Sequence, residues 1–387
     1  MVSVGWDVDP VVAAWPGLPV LDSAVRADVC VVGLGGSGLA AVGEVLRRGL
    51  SVVGIDAGRV AAGAAGRNGG FLLGGPAIGV HHAATGWGLD SALQLYRQSL
   101  DEITALFDLL GPEVIRRIGS IRLAGLPGEP VDQAEAADRD RELADCRDQL
   151  KVLTEHEIAA EWYAGPLGEG LFLPDDAAMN PARRALGLAS CYQAEARLFE
   201  NSPVVSLETG LVRTAAGSVT TGLVVVAVDG KLELVLPELA GRVRTTRLQM
   251  LATAPVAPGR LPCPVYGRWG YDYAQQDETG RLYVGGGRDQ DLAAEWTTET
   301  EPTPVVQGWT ERIAARFAGT GSVTVTHRWA ASAGYTKDGK PVVSEVRPGV
   351  VACGGYNGTG NLIGPIAGRA AVALGLDGET PGGYFAS

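Results

Sequence analysis

Lysine is nearly missing from this chain. Its basic residues are almost all arginine, interrupted only by Lys151, Lys231, Lys337 and Lys340. Basic residues total 32 against 44 acidic ones over 387 positions, a formal net charge of −12. That excess of acid argues against nucleic acid or an anionic membrane surface as a partner. Histidine is scarce too, at four residues: His81, His82, His156 and His327. The adjacent pair His81-His82 has no carboxylate or cysteine cluster near it in sequence, so no metal is expected. The five cysteines lie far apart with no C-x-x-C spacing, as in reduced thiols of a cytoplasmic protein. No apolar run reaches membrane-spanning length, and "MVSVGWDVDP" lacks the basic and apolar segments of a secretion signal. The expectation is a soluble cytoplasmic protein of two domains or one two-lobed unit.

Glycine, in contrast, is abundant at 55 residues, and much of it gathers in three clusters. The first is "ADVCVVGLGGSGLAAVGEVLRRGLSVVGID". Val29 to Val32 form a continuous apolar run, as expected of a strand buried on both faces of a parallel sheet. Gly33-Leu34-Gly35-Gly36-Ser37-Gly38 fits G-x-G-x-x-G, and Leu39, Val42, Val45 and Leu46 follow at helical spacing. A second β-rich run, Ser51 to Ile55, ends at Asp56, which stands 18 residues past Gly38. This order of strand, glycines, helix, strand and acid predicts a dinucleotide site. Gly33 makes the turn, Gly35 lets backbone approach a diphosphate, and Gly38 allows close helix–sheet packing. An acid at Asp56 favours a free ribose 2′-hydroxyl, hence FAD or NAD over NADP.

The second cluster, "GAAGRNGGFLLGG" (residues 63–75), begins seven residues after Asp56. A nicotinamide enzyme would continue there into another plain βα unit. A glycine-rich, non-helical segment carrying Arg67 and Asn68 points instead to backbone passing close to a flat ring system. The third cluster follows an apolar strand, Val350 to Cys353, and reads "GGYNGTGNLIGP" before the helix-like "IAGRAAVALGL". A helix N-terminus there suits the electron-rich pyrimidine edge of a reduced flavin. Between them, residues 196–228 read as a strand, a hairpin and a further strand, consistent with chain re-entering the nucleotide domain.

These blocks resemble the D-amino-acid oxidase superfamily of FAD-dependent oxidoreductases, in the branch with γ-glutamylputrescine oxidase, glycine oxidase and sarcosine oxidase. The resemblance runs through "ADVCVVGLGGSGLAA", "IDAGRVAAGAAGRNGG", "FLPDDAAMNPARRALGLA" with "ARLFENSPV", and "RWAASAGYTKDGKPVV" with "VVACGGYNGTGN". It implies an α/β fold: a doubly wound, Rossmann-like FAD-binding domain (1–85, 171–230 and 325–387) with an α+β antiparallel-sheet substrate domain (86–170 and 231–324). By the same resemblance Gly33, Gly35, Gly36, Ser37 and Gly38 would cradle the diphosphate, and Asp56 and Ala57 would meet the adenosine ribose. Arg67, Asn68, Gly69 and Gly70 would line the flavin ring, and Val205 would meet the adenine. Gly355, Tyr356, Asn357, Gly358, Thr359 and Gly360 would sit at the pyrimidine edge.

The departures from the family pattern carry information. Relatives that attach flavin covalently use a cysteine before the C-terminal "Y-T" or a histidine near the second cluster. This chain reads Ala333-Gly334-Tyr335-Thr336 and Arg67-Asn68-Gly69-Gly70 there, so non-covalent FAD is expected. The family's W-A-G-L-R-P arginine, a substrate-carboxylate clamp, is replaced by Ala333. Arg288, Arg268 and Arg328 are candidate substitutes, each with a structural role as the alternative. No lysine occurs in "GRLYVGGG", where some oxidases place one for oxygen, so the electron acceptor is oxygen or an electron-transfer partner.

Hydride transfer from a C–H bond to flavin N5 needs orientation and exclusion of water rather than a side-chain acid or base. The expected activity is oxidation of the C–N bond of a small-molecule amine or amino acid, the imine then hydrolysing. Alternatives are an FAD-dependent 2-hydroxy-acid oxidoreductase and a flavin-binding protein with little or no catalysis. Candidate substrate contacts are Tyr271 and Tyr273, alternating on one strand face, with Arg288, Trp329, Tyr335 and Tyr356. Asp338 reads as turn chemistry, residues 129–149 as an exposed helix with (i, i+4) pairs, and a homo-oligomer is left open.

Overall fold

The computed structural model describes residues 4–385. It divides into two compact units. One comprises Asp9–Arg67, Pro181–Thr246 and Ser332–Ser387, and the other Met1–Val8, Asn68–Asn180 and Arg247–Ala331.

The first of these is built on a six-stranded sheet. Its order is Arg197–Phe199, Val52–Ile55, Val29–Val32, Leu223–Val226, Val350–Gly354 and Val342–Arg347. The first five run parallel and the last is an antiparallel edge strand. The sequences VCVV, LVVV and VVACG are buried at every position, which is why they show no polar alternation. Cys30, Val32, Val224, Val226 and Ala352 point to one face, where they pack with Val212 and Val219 of a four-stranded sheet. That sheet is the hairpin region expected from residues 196–228, with Ala24–Arg26 added to it. The helices Gly36–Arg47 and Gly360–Asp377 pack against each other, and their contact is made by small residues. A side chain at Gly368 would run into the Ser37 carbonyl, so the two backbones touch there.

The C-terminal helix starts at Gly360, six residues before the expected "IAGRAAVALGL". Pro365 lies within it and has no N–H to offer the Asn361 carbonyl one turn earlier. Arg184 supplies the missing donor: its guanidinium bonds Asn361 O at 2.9 Å. The helix therefore tolerates an internal proline because another element satisfies the orphaned carbonyl.

The other unit centres on an eight-stranded sheet that includes Ser120–Leu123, Val265–Gly267, Asp272–Gln276 and Leu282–Gly285. Ile121, Val265, Ala274, Leu282 and Val284 form its core with Ile313 and Phe317 of the Pro304–Ala318 helix. A second cluster joins Val80 and Ala83 to Leu93 and Tyr96 of the Leu89–Leu110 helix and to Leu153. The acidic stretch expected as an exposed helix is a helix from Gln133 to Glu155, but Glu142, Asp145, Cys146 and Gln149 are buried. Its inner face is polar because Gly125 N–H, Trp269 N–H and Arg122 come to meet those side chains. Among the described residues no helix is long and apolar enough to cross a membrane.

Candidate active site

The glycine loop leaves the C-terminal end of the Val29–Val32 strand at Gly33, whose φ of 98° favours glycine. A side chain at Gly38 would collide with the Gly33 carbonyl, so this glycine is imposed by packing. Gly35 is different: a Cβ there would meet only Ala65, at 3.6 Å. Gly35 also caps the Gly36–Arg47 helix without any side-chain bond. Ser37 is buried, its backbone against Gly364 and Gly368 of the C-terminal helix.

Asp56 closes the Val52–Ile55 strand and braces the loop. Its carboxylate accepts Leu34 N–H at 2.8 Å and Gly58 N–H at 3.0 Å. Burial pushes its pKa above the ordinary aspartate range, against the pull of those two donors. Each oxygen keeps a second lone pair for a ribose hydroxyl. Ala57 is exposed beside it, and Val205 is exposed at a bulge in the Val204–Glu208 strand. The second glycine cluster is not wholly non-helical: Ala64–Arg67 forms one helical turn, with Arg67 at its end.

Residues 355–360 form a tightly tied loop. Gly355 and Tyr356 donate their N–H groups to Asp229 Oδ1 at 2.9 and 3.2 Å, and Gly334 donates to Oδ2 at 3.2 Å. Burial pushes Asp229 up to about 6 in spite of these donors. Asn357 accepts Thr336 N–H at 2.9 Å and donates to the carbonyls of Gly339 and Gly355 at 3.0 and 2.8 Å. Thr359 turns its hydroxyl onto Tyr356 O at 2.8 Å and gives the following helix no side-chain cap. The Tyr335 hydroxyl lies over Gly358, and the Tyr356 ring folds over Gly360 and Gly364. The backbone N–H groups of Gly355 and Tyr356 are therefore committed to Asp229, and the uncapped helix start is what this loop presents.

Three further side chains escaped the sequence reading. Arg184 is 1% exposed, and its guanidinium fills the space a Cβ on Gly36 would occupy, as well as bonding Asn361 O. One buried cation thus joins the N-termini of two long helices, each already carrying partial positive charge. Glu200 is 2% exposed and accepts Trp15 Nε1–H at 3.0 Å, Val60 N–H at 2.6 Å and Leu18 N–H at 3.0 Å. Asp229 is the third. The only signal in the sequence was a charged residue inside an apolar context in "ARRALGLA", "LFENSP" and "VVVAVDG".

In the other unit, Asn68 Oδ1 accepts Gly70 N–H at 2.7 Å, and Asn68 O accepts Trp6 Nε1–H at 2.9 Å. Tyr273 lies flush against Gly69 and Gly285, where any side chain would strike its ring, and meets Phe71 edge-on at 5.6 Å. Tyr271 is not in the strand, which starts at Asp272; it ends a 3-10 turn, so the expected alternation with Tyr273 fails. Its ring carries the Arg288 guanidinium at 5.8 Å, and Trp296 flanks the same guanidinium at 5.5 Å. Arg268 is paired with Asp272 and Asp289, and Arg328 with Glu311 and Gln307, which gives both structural work. Trp329 is fully buried beside Gly5, a core position.

The fold defines the class: an α/β protein whose glycine loop and gathered positive charge fit the diphosphate of FAD, with the Asp56 carboxylate at the end of the adjoining strand. Residues 28–374 match the family described as FAD dependent oxidoreductase, and the chain belongs to it. It is similar to the probable oxidoreductase OrdL of Rhizobium meliloti, 25% identical over 94% of this chain and 86% of that protein. It is also similar to gamma-glutamylputrescine oxidoreductase of Escherichia coli, 25% identical over 92% of this chain and 84% of that one. Glycine oxidase from Geobacillus kaustophilus shares the fold, with a TM-score of 0.70, 20% identity and coverage of 92% and 96% of the two chains. The protein is an FAD-dependent oxidoreductase.

Proposed function

We propose that this enzyme oxidises the C–N bond of a small amine or amino acid, with FAD held non-covalently. When bound, FAD would supply the hydride acceptor for the substrate's α-C–H bond, and the imine left behind would be hydrolysed by water to a carbonyl compound and an amine or ammonia. The unit made of Asp9–Arg67, Pro181–Thr246 and Ser332–Ser387 is the FAD-binding domain in this reading, and the other is the substrate domain. Gly35 leaves room for the diphosphate, Arg184 and two helix N-termini oppose its charge, and Asp56 accepts the ribose hydroxyls. The uncapped start at Thr359 favours negative charge on a reduced ring. Tyr273 and the Tyr271–Arg288–Trp296 group are the candidate substrate contacts, Arg288 replacing the clamp lost at Ala333. Cys353, the cysteine nearest the C-terminal loop, has its pKa pushed up to about 12 by burial, which keeps it an inert thiol.

The observation that carries this reading is the cradle itself, built by a chain of the FAD-dependent oxidoreductase family that resembles a named amine-derivative oxidoreductase over nine-tenths of its length. The test is anaerobic mixing of the purified flavoprotein with amines, amino acids of both hands and 2-hydroxy acids, followed at the flavin absorbance. Bleaching by an amine or amino acid supports the reading; bleaching by 2-hydroxy acids alone overturns it. Denaturation is expected to release all flavin into the soluble fraction, and flavin that stays on the polypeptide refutes non-covalent binding. Reoxidation of the bleached enzyme by air, compared with an artificial acceptor, then identifies the electron acceptor.

A further inference from the structure

His81 and His82 open the Val80–Trp87 helix, and no carboxylate lies near them in sequence. Folding changes that. Asp145, on the Gln133–Glu155 helix, places one carboxylate oxygen 2.9 Å from His81 Nε2 and 2.6 Å from His82 Nε2. All three potential ligand atoms lie within 4.8 Å of one another. The two Asp145 contacts are hydrogen bonds. Ligands of a tetrahedral ion bound at about 2.1 Å stand roughly 3.4 Å apart, so an ion replacing the shared protons needs these atoms to part by less than about 1 Å.

The surroundings are built the same way. Arg122 bonds the other Asp145 oxygen and also Gln149, which fixes the carboxylate's orientation and leaves Oδ1 to the two imidazoles. A ligating carboxylate is ordinarily held by such an outer partner. The His81 side chain is 11% exposed and that of His82 56%, so one ligand is anchored and the other faces an entry path. Two nitrogens and one oxygen select zinc-like ions over magnesium or calcium, which take oxygen.

We propose that His81, His82 and Asp145 form a binding site for one divalent transition-metal ion of the zinc class, completed by solvent. The ion would join the Val80–Trp87 helix to the Gln133–Glu155 helix, 63 positions apart, and so brace this unit independently of FAD. The Arg122 charge on the same carboxylate sets the affinity below that of a four-cysteine site.

The experiment uses tag-free, FAD-loaded protein carrying Cys191→Ser, because Cys191 is the exposed thiol and an independent zinc ligand. Zinc is titrated against a chromophoric chelator, and cobalt(II) is added separately to read the visible spectrum of a nitrogen/oxygen site. One equivalent is expected to bind. His82→Ala, at a half-exposed position, is expected to weaken binding at least about 10-fold, since even outer-partner changes cost 10–100-fold. Asp145→Asn is expected to do the same, and His156→Ala to change nothing. The flavin spectrum confirms that each variant is folded. Absence of stoichiometric zinc binding, or equal affinity in the parent and His82→Ala, would mean a plain hydrogen-bonded cluster and overturn the proposal.

Discussion

Replacing Asp229 with asparagine is expected to flatten the pH dependence of stability below neutrality. In the folded protein the Asp229 carboxyl sits at about 6, against 3.8 for an ordinary aspartate. Its cause is burial beside the C-terminal glycine loop, only partly offset by the N–H groups of Gly334, Gly355 and Tyr356. The folded state thus holds this proton more tightly than the unfolded chain does. Its contribution is fully present below pH 3.8, declines as pH rises towards 6, and is constant above. A shift of about 2 pKa units corresponds to about 3 kcal/mol in all, of which about half falls between pH 5 and 7.5. The assay is urea unfolding of the FAD-loaded enzyme and of Asp229→Asn at those two pH values. Asp176, pushed to about 7 by burial, titrates in both proteins and cancels in the comparison. The wild type is expected to lose about 1 kcal/mol more than the variant on going to the higher pH. Equal losses would show that Asp229 does not hold a proton inside this loop, and the account of the loop would fall with it.

Gly38→Ala is expected to abolish flavin retention, read as the ratio of flavin to protein absorbance, because its methyl group would enter the Gly33 carbonyl. Retained yellow colour would refute that packing argument. Arg184→Met removes a buried cation and the donor to Asn361 O; losing a charge-assisted bond of about 1.5–3 kcal/mol predicts FAD binding weaker by roughly 10–100-fold. Unchanged FAD affinity would make Arg184 a strut for the Pro365 helix and nothing more. Glu200→Ala strands the donors of Trp15, Leu18 and Val60 and is expected to cost at least about 2 kcal/mol, with faster proteolysis in residues 13–21 as the local readout.

The strand–glycine–helix–strand–acid unit was legible because each of its requirements is local. Apolar continuity marks the doubly buried strand, a few glycines mark the turn and the close approach, and helical spacing marks Leu39 to Leu46. Local rules also misplaced some details. Tyr271 looked like a strand residue by alternation, but Arg268 and Trp269 adopt positive φ of 49° and 59° and turn the chain just before it. Residues 129–149 looked solvated because charge alone is counted in sequence, while Glu142 and Asp145 are buried by partners from elsewhere.

What the amino-acid order determined on its own was the strand–glycine–helix–strand unit ending at Asp56 and, through four blocks in series, the family. What only the tertiary structure decided was which charges meet. Arg184 reaches a carbonyl 177 positions away, Asp229 holds N–H groups 105 to 127 positions away, and Asp145 finds its histidines 63 and 64 positions off. Buried charge is stable only with specific partners, and partners at such separations leave no periodic trace in the chain.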